Sequence, residues 1–320
     1  MITFADNTTL EQPTRDDIMQ PLENLKVLDF CWVAAGPMTT GYLAEYGATV
    51  VRVESRKRPD PLHTSPPVAP GTGLNRSGYY ANYSANKHAL GLNLGSPKAI
   101  DIVKRLVAWA DLVTENFTPG TMERLGLGYE ELCRIKPDIV LFSTSMLGRG
   151  GPNSKLPGFG AVLSSLSGMT GITGWPDRDP TNPYGAYTDF IAPRFAVATI
   201  LAALDHRRRT GQGQHVDMSQ LEAALHFIAP LLLERANNGR EPGRTGNRHE
   251  AAAPHGAFPC QGEDRWVTIT CMTDDHWHSL RQVLGDPGWM REARFAPLLG
   301  RISMDLIGVL VVGLIVVLAA

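Results

Sequence analysis

The chain has 320 residues, 43 % hydrophobic and 19 % charged, with a formal net charge of −2. That length points to about two domains, and that composition to a soluble globular protein with material for a core. The near-balanced charge points away from nucleic acid, and the basic run at His206 to Arg209 is no longer than an ordinary helix end. The four cysteines, Cys31, Cys133, Cys260 and Cys271, have neither CxxC nor metal spacing. Scattered in this way they suit a reducing, cytoplasmic setting. Met1–Gln20 is polar and acidic, and without an apolar central run it does not read as a signal peptide.

In chain order, Leu25–Phe30 reads as a short apolar strand and Ala34–Pro37 as a turn. Met38–Tyr46 has helical spacing, and Gly47–Glu54 reads as a second strand ending on a carboxylate. This β-α-β unit predicts a parallel sheet with a right-handed crossover. A Gly-x-Gly-x-x-Gly fingerprint is missing, which counts against a nicotinamide cofactor. Arg58–Gly78, rich in proline and glycine, reads as a long surface loop. Asn86–Asn93 leads into a strand. Pro97–Ala110 reads as a helix with proline at its first position, Asp111–Asn116 as a strand, Tyr129–Lys136 as a helix and Ile139–Ser143 as a strand. Gly148–Pro157 is a glycine-rich loop whose plain reading is a tight turn. Gly158–Thr173 reads as one small-residue helix.

The stretch Pro183-Tyr-Gly-Ala-Tyr-Thr-Asp189-Phe precedes the apolar run Ile191–Leu204, which reads as a core helix ending in Asp205–Gly213. Pro193 is expected in its first turn, where a missing N–H costs nothing. Asp189 then stands before or in that turn, where a carboxylate can accept unpaired backbone N–H groups, so on position alone it reads as a helix cap. Gly213–Asp217 reads as a strand and Met218–Asn237 as one helix with an apolar face. Asn238–Arg248 reads as a linker, Trp266–Cys271 as a strand and Asp274–Leu284 as a helix opening a second module. Repeated β-α units predict an open α/β sheet with ligands outside the carboxyl ends of the strands, where Asn116 and Phe117 fall.

Several stretches form an ordered set: Asp29-Phe30, Ala35-Gly-Pro37, Tyr46-Gly-Ala48, Asn86-Lys87, Glu115-Asn-Phe-x-Pro-Gly120, Arg124-Leu-Gly126, Gly150-Gly-Pro152, Asp189, Leu201-Ala-Ala-Leu204, Thr210-Gly-Gln-Gly-Gln214, Asp217 and Glu222. From about Leu22 to Arg301 the chain resembles the family III CoA-transferases, the CaiB/BaiF group, which also includes α-methylacyl-CoA racemase. The resemblance implies a Rossmann-like, parallel-sheet large domain with a linker and a smaller second domain, here incomplete. The divisions it suggests are 1–21 as a polar extension, 22–220 as the CoA-binding domain, 221–248 as helix and linker, 249–301 as a partial small domain and 302–320 as an apolar tail.

It also implies a chemistry. In these transferases an aspartate attacks the donor thioester and carries first the acyl group, as an anhydride, and then CoA, as a thioester. Asp189 holds the matching position. Leu92, Asn116, Phe117 and Arg124 fall where the family holds the nucleotide part of CoA, which acts as substrate and not as a resident cofactor. The forked guanidinium of an arginine suits a phosphate. No metal is expected. Formyl-CoA:oxalate CoA-transferase has glutamine where this chain has Ala34, and lysine and tyrosine where it has Ser145 and Leu147, which counts against oxalate specificity. The racemase branch needs a histidine in a Gly-His-Asp motif, and here the stretch reads Gly158-Phe159-Gly160. Transfer is therefore expected over racemisation, with a non-catalytic CoA-binding or dimerisation partner as a reading from another class.

The family also implies an interlocked homodimer. Leu306–Ala320 is continuously apolar, yet shorter than the roughly 20 residues a spanning helix needs. A buried element or a tail anchor is open on composition. Ile302–Ala320 does not follow the family pattern, so the resemblance favours a truncated or frameshifted end, with an impaired interlock and an aggregation-prone apolar terminus.

Overall fold

The structure is a computed structural model, and it describes residues 20–303. The expectations for the N-terminal extension and the apolar tail lie outside the described residues. In chain order the elements are β1 (Lys26–Asp29), α1 (Ala35–Glu45), β2 (Thr49–Glu54), α2 (Gly78–Tyr83), β3 (His88–Gly91), α3 (Pro97–Trp109), β4 (Leu112–Glu115), α4 (Thr121–Arg124), α5 (Tyr129–Ile135) and β5 (Val140–Ser145). They continue with α6 (Gly160–Leu166), α7 (Met169–Ile172), α8 (Tyr187–Thr210), β6 (Gln214–Ser219), α9 (Gln220–Phe227), α10 (Ala229–Asn238), β7 (His255–Pro259), β8 (Trp266–Thr270), α11 (Asp274–Val283) and α12 (Leu298–Ser303).

The chain divides into two compact units. One takes the chain up to Ser167 together with Asn182–Leu233; the other takes Gly168–Thr181 and the chain from Glu234 onward. The first is built on a six-stranded, all-parallel sheet in the order β3-β2-β1-β4-β5-β6. This is the doubly wound order of dinucleotide-binding folds, whose strand order reverses between β1 and β4. Register explains how the strands feed two cores. Val50, Val27, Leu112 and Val140 lie in one row across the sheet and point to one face, where Ala196, Ile200 and Ala203 of α8 pack with Leu43 of α1. The next row, Val51, Leu28, Val113 and Leu141, points to the opposite face and meets Val103 and Val107 of α3 and Leu132 of α5. Strands covered on both faces read as apolar runs rather than alternations. Each fully buried side chain of this kind is worth about 1.5–3 kcal/mol.

Four elements depart from the expectations for local reasons. Ala35-Gly-Pro37 is not a turn but the first turn of α1, where proline's missing N–H is tolerated. Pro193 lies inside α8, not in its first turn, because that helix already starts at Tyr187. The Gly158–Thr173 stretch is two helices, α6 and α7, parted by Gly168 with φ 85°, a conformation that suits glycine. The single helix expected over Met218–Asn237 is also two, since Pro230 cannot donate the N–H that would carry α9 onward.

The second unit pairs β7 and β8 as an antiparallel ladder. Phe258, Trp277, Met290 and Phe295 form its core. Arg301 is fully buried there, with its guanidinium 5.2 Å from the Trp277 ring. It donates to the carbonyls of Ala253, Phe295 and Ala296 and to Asp274 Oδ1, so its charge is met on all sides. β7 was not expected from the sequence, since Gly256 and Pro259 weaken its strand pattern.

Candidate active site

The site forms where the doubly wound order predicts it, outside the carboxyl ends of β1, β4 and β5. The loop after β1 is held from both sides. Asn116, just after β4, accepts the Trp32 N–H at 2.7 Å and donates to the Trp32 carbonyl at 2.8 Å. Asp60 accepts the Val33 N–H at 3.0 Å and is itself held by Arg52. Val33 sits at φ 64°, a left-handed conformation that a β-branched residue reaches only under constraint. Gly36 permits the close approach of α1, since a Cβ there would stand 2.5 Å from Cys31 Cβ and 3.1 Å from Asn116 Cγ.

A cleft of about 730 Å³, part of it open solvent, lies over this loop; Val33, Ala35, Asn116, Phe117, Ser145 and Asp189 are among its lining residues. Asp189 is the third residue of α8. The cap expectation is not met, because the N-cap residue is Ala186 and, among the described residues, the Asp189 carboxylate accepts no hydrogen bond and forms no ion pair. Burial alone pushes its pKa up to about 6. The carboxylate rests against Gly160, the first residue of α6: a Cβ there would be 2.6 Å from Asp189 Cγ and Oδ2. The Gly160 carbonyl is tied to α8 by the Thr188 hydroxyl at 3.0 Å and to its own helix by Ser164 at 3.0 Å. Ser145, at the end of β5, carries a buried hydroxyl with no hydrogen-bond partner among the described residues. Cys31 is close by, but burial and the Asp29 carboxylate push its thiol well up, so it is an inert neighbour.

A second cavity, of about 1000 Å³, opens between the ends of β1, β2 and β4, with Trp32, Glu54, Leu92, Phe117 and Thr121 among its walls. Trp32 and Phe117 meet edge to face at 6.1 Å, and Arg58 lies 5.8 Å from the Trp32 ring. Leu92 and Phe117 thus share this cavity, while Phe117 and Asn116 line the cleft with Asp189. Arg124 stands apart. It is exposed at the end of α4 and donates to the Thr121 hydroxyl at 2.8 Å, without lining either space. Glu54 is drawn inward by Arg52 at 3.2 Å and His63 at 3.4 Å. The glycine-rich loop is pinned, since Arg149 holds Glu115 at 3.1 Å and Glu123, and its N–H reaches Asp217 at 2.9 Å.

A third cavity, of about 790 Å³ with open solvent included, reaches Asp189 from among Leu62, Ser65, Tyr79, Tyr83, Tyr184 and Phe190. Burial first, then Tyr79, Asp189 and Tyr184, push the Tyr83 phenol up, so it stays a protonated donor. Sequence reading missed this cavity. Its one local signal is the tyrosine spacing in Tyr79-Tyr-Ala-Asn-Tyr83, which places Tyr79 and Tyr83 on one face of α2.

Comparison with known proteins agrees with this fold. Residues 22–305 match CoA-transferase family III. The succinyl-CoA–D-citramalate CoA-transferase of Chloroflexus aurantiacus is 34 % identical over 277 residues, which cover 87 % of this chain and 68 % of that protein. The acetyl-CoA:oxalate CoA-transferase of Acetobacter aceti is 33 % identical over 86 % of this chain and 69 % of its own. This chain thus spans about two thirds of the length of these curated relatives. A solved CaiB/BaiF family protein from Brucella suis superposes with a TM-score of 0.84 at 30 % identity, covering 94 % of this chain and 78 % of that one. The chain belongs to CoA-transferase family III, a family of enzymes whose substrates are CoA thioesters.

Proposed function

We propose that the protein moves CoA from an acyl-CoA donor to a carboxylic acid through covalent intermediates on Asp189. The observation that carries this reading is a half-buried carboxylate, unpartnered among the described residues, in a cleft at the carboxyl ends of the strands. With its pKa pushed up to about 6, it is still mostly anionic at neutral pH and needs no base to attack.

In the first step an Asp189 oxygen bonds to the thioester carbonyl carbon. The C–S bond breaks with its electron pair on sulfur, leaving an acyl-aspartyl anhydride and CoA thiolate. The thiolate then attacks the aspartyl carbonyl and releases the donor acid as its carboxylate. The acceptor carboxylate attacks this aspartyl-CoA thioester, and thiolate leaves again. Attack of thiolate on the acceptor's acyl carbon yields the new acyl-CoA and frees Asp189. One negative charge passes through every step, so no proton needs to move. Each tetrahedral intermediate needs donors at its oxyanion, worth ~10²–10³ in rate apiece. Ala34 offers no side chain to cap α1, which leaves first-turn N–H groups of that helix available beside the cleft.

The reading places the pantetheine arm along Phe117 and Asn116 and the nucleotide in the cavity walled by Leu92 and Trp32. Arg124, which lines neither space but holds the Thr121 of that cavity's wall, would have to swing inward to meet the phosphates. Racemisation has less support, because no histidine is among the residues lining the cleft and Gly160 adjoins Asp189 without a side chain. A homodimer belongs to the same reading and rests on the family resemblance, and a cytoplasmic setting rests on the scattered cysteines; light scattering on the purified chain tests the dimer. The chemistry is tested by trapping: hydroxylamine or borohydride added during turnover should mark position 189. Full turnover with that position never marked overturns the proposal.

A further inference from the structure

We infer that the tyrosine-walled cavity beside Asp189 is the acyl subsite, and that its occupant is an apolar, aromatic monocarboxylic acid rather than a dicarboxylate. This rests on the reading of Asp189 as the acyl carrier and adds the class of acid carried.

Asp189 belongs to both this cavity and the cleft at the strand ends, so an acyl group bonded to its carboxylate has a space on each side. The cleft side is continuous in its lining residues with the Trp32 and Leu92 cavity through Phe117, which leaves the other side for the acyl body. That side is walled mainly by aromatic side chains, with Leu62 and Ser65 beside them. Tyr79 and Tyr83 pair at 5.7 Å between ring centroids, and Tyr184 and Phe190 pair at 5.9 Å. Leu62 closes the wall at 4 % exposure. Rings at these separations are favourable neighbours for a further ring.

Tyr184 is 79 % exposed and sits at φ 38°, followed by Gly185 at φ 57°. A large aromatic ring held outward by consecutive left-handed residues presents apolar area that a bound ring would cover. Among the described residues lining this space there is no lysine, arginine or histidine. A second carboxylate placed here would meet only neutral hydroxyls, of Ser65 and the tyrosines, and no cation to offset its charge beside that of Asp189. The relatives described above are named for D-citramalate and oxalate, acids with two carboxyl groups. The inferred preference therefore separates this chain from them.

The experiment is identity exchange with the full chain. Each acid's CoA thioester is incubated with the same acid carrying a carbon label, which removes any dependence on a foreign donor. The probes are 3-phenylpropionate and glutarate. The aromatic acid should exchange at least ~100-fold faster in kcat/KM, the range that differential burial and unpaired polar groups supply. Tyr79→Arg, at a part-exposed wall position, should lower the aromatic rate and raise that of glutarate by about tenfold or more. Direct titration of 3-phenylpropionate into Asp189→Asn gives a second measure, because that variant binds without turning over. Glutarate exchange exceeding aromatic exchange, with hydroxylamine still marking position 189, overturns the acid class and leaves the Asp189 chemistry standing. Exchange of neither acid, with no mark at 189, overturns both.

Discussion

Asp29 and Asp189 are both withdrawn from water in the same unit, and the protein treats them in opposite ways. Asp29, fully buried at the end of β1, accepts the Cys31 N–H at 2.9 Å and the hydroxyls of Thr114 at 3.0 Å and Thr40 at 2.6 Å. Lys87 stands 3.5 Å away and spends its other donors on the Pro37 carbonyl and Thr40, each at 2.7 Å. Every lone pair is answered, and the result is architecture: the strand, the start of α1 and the Asn86–Lys87 turn are knotted to one carboxylate. Asp189 has burial without a partner among the described residues. A buried group left this way is destabilised as an anion, the property that the proposed role of Asp189 uses, so the contrast bears on that role more than depth alone does.

The largest expected break in the comparison is Asp189→Asn. Acyl exchange should fall by at least ~10³-fold, since the covalent route disappears. Stability should move the other way. The folded-state pKa of about 6 lies above the ordinary value, so the wild-type contribution is fully present below ~pH 4 and is lost as pH rises through about 6. The asparagine variant, which does not titrate, should match wild type near pH 4. By pH 7 it should exceed wild type by on the order of 2–3 kcal/mol, read by denaturant unfolding at both values. Equal stability at pH 7 would show that Asp189 is not desolvated.

Asp29→Ala should do the reverse. It strands the Lys87 ammonium in the interior, at a cost of about 3–5 kcal/mol. Lys87→Met on the same background should recover part of that loss, and a double-mutant cycle on thermal unfolding measures the coupling. Next in size comes Gly160→Ala. The added methyl must displace the Asp189 carboxylate or Ala186, whose Cβ would lie 2.8 Å away. Displacement by about 1 Å costs ~10²-fold in turnover. Far-UV circular dichroism should remain unchanged, and a kcat within twofold of wild type would dissociate Gly160 from the carboxylate's placement.

The difference between the two aspartates also marks how far the sequence could be read. Strands β1, β2, β4 and β5 were legible because a parallel sheet buried on both faces makes each one a short apolar run between turn residues. Asp189 and its following helix were legible for the same reason, and the family pattern pointed to its role. Its isolation was not legible. Position alone predicted a cap, and only the fold shows Ala186 in that place and Gly160 against the carboxylate. The tyrosine wall comes from α2 and from the turn before α8, far apart in the chain, so the spacing of Tyr79 and Tyr83 announces only one side of it. Pro193 and Pro230 were misread or overlooked because a proline's consequence depends on where its helix begins, the boundary that local patterns define least well.

The smallest effect is also the most specific to Asp189. If the attacking group is a carboxylate with a pKa of about 6, kcat/KM should show an acid limb there, falling about tenfold between pH 7 and pH 5. An ordinary exposed aspartate would leave the rate flat over that range, because it stays ionised throughout. The limb arises from desolvation without a counter-charge, so added salt has no nearby ion pair to screen and should leave it in place. Placing a cation in the wall tests the cause: in Tyr79→Arg the limb should move toward lower pH, because a positive neighbour stabilises the anion. A limb that stays at 6 in that variant would place the titrating group elsewhere, whereas its shift would show that the missing partner of Asp189 is what sets its chemistry apart from that of Asp29.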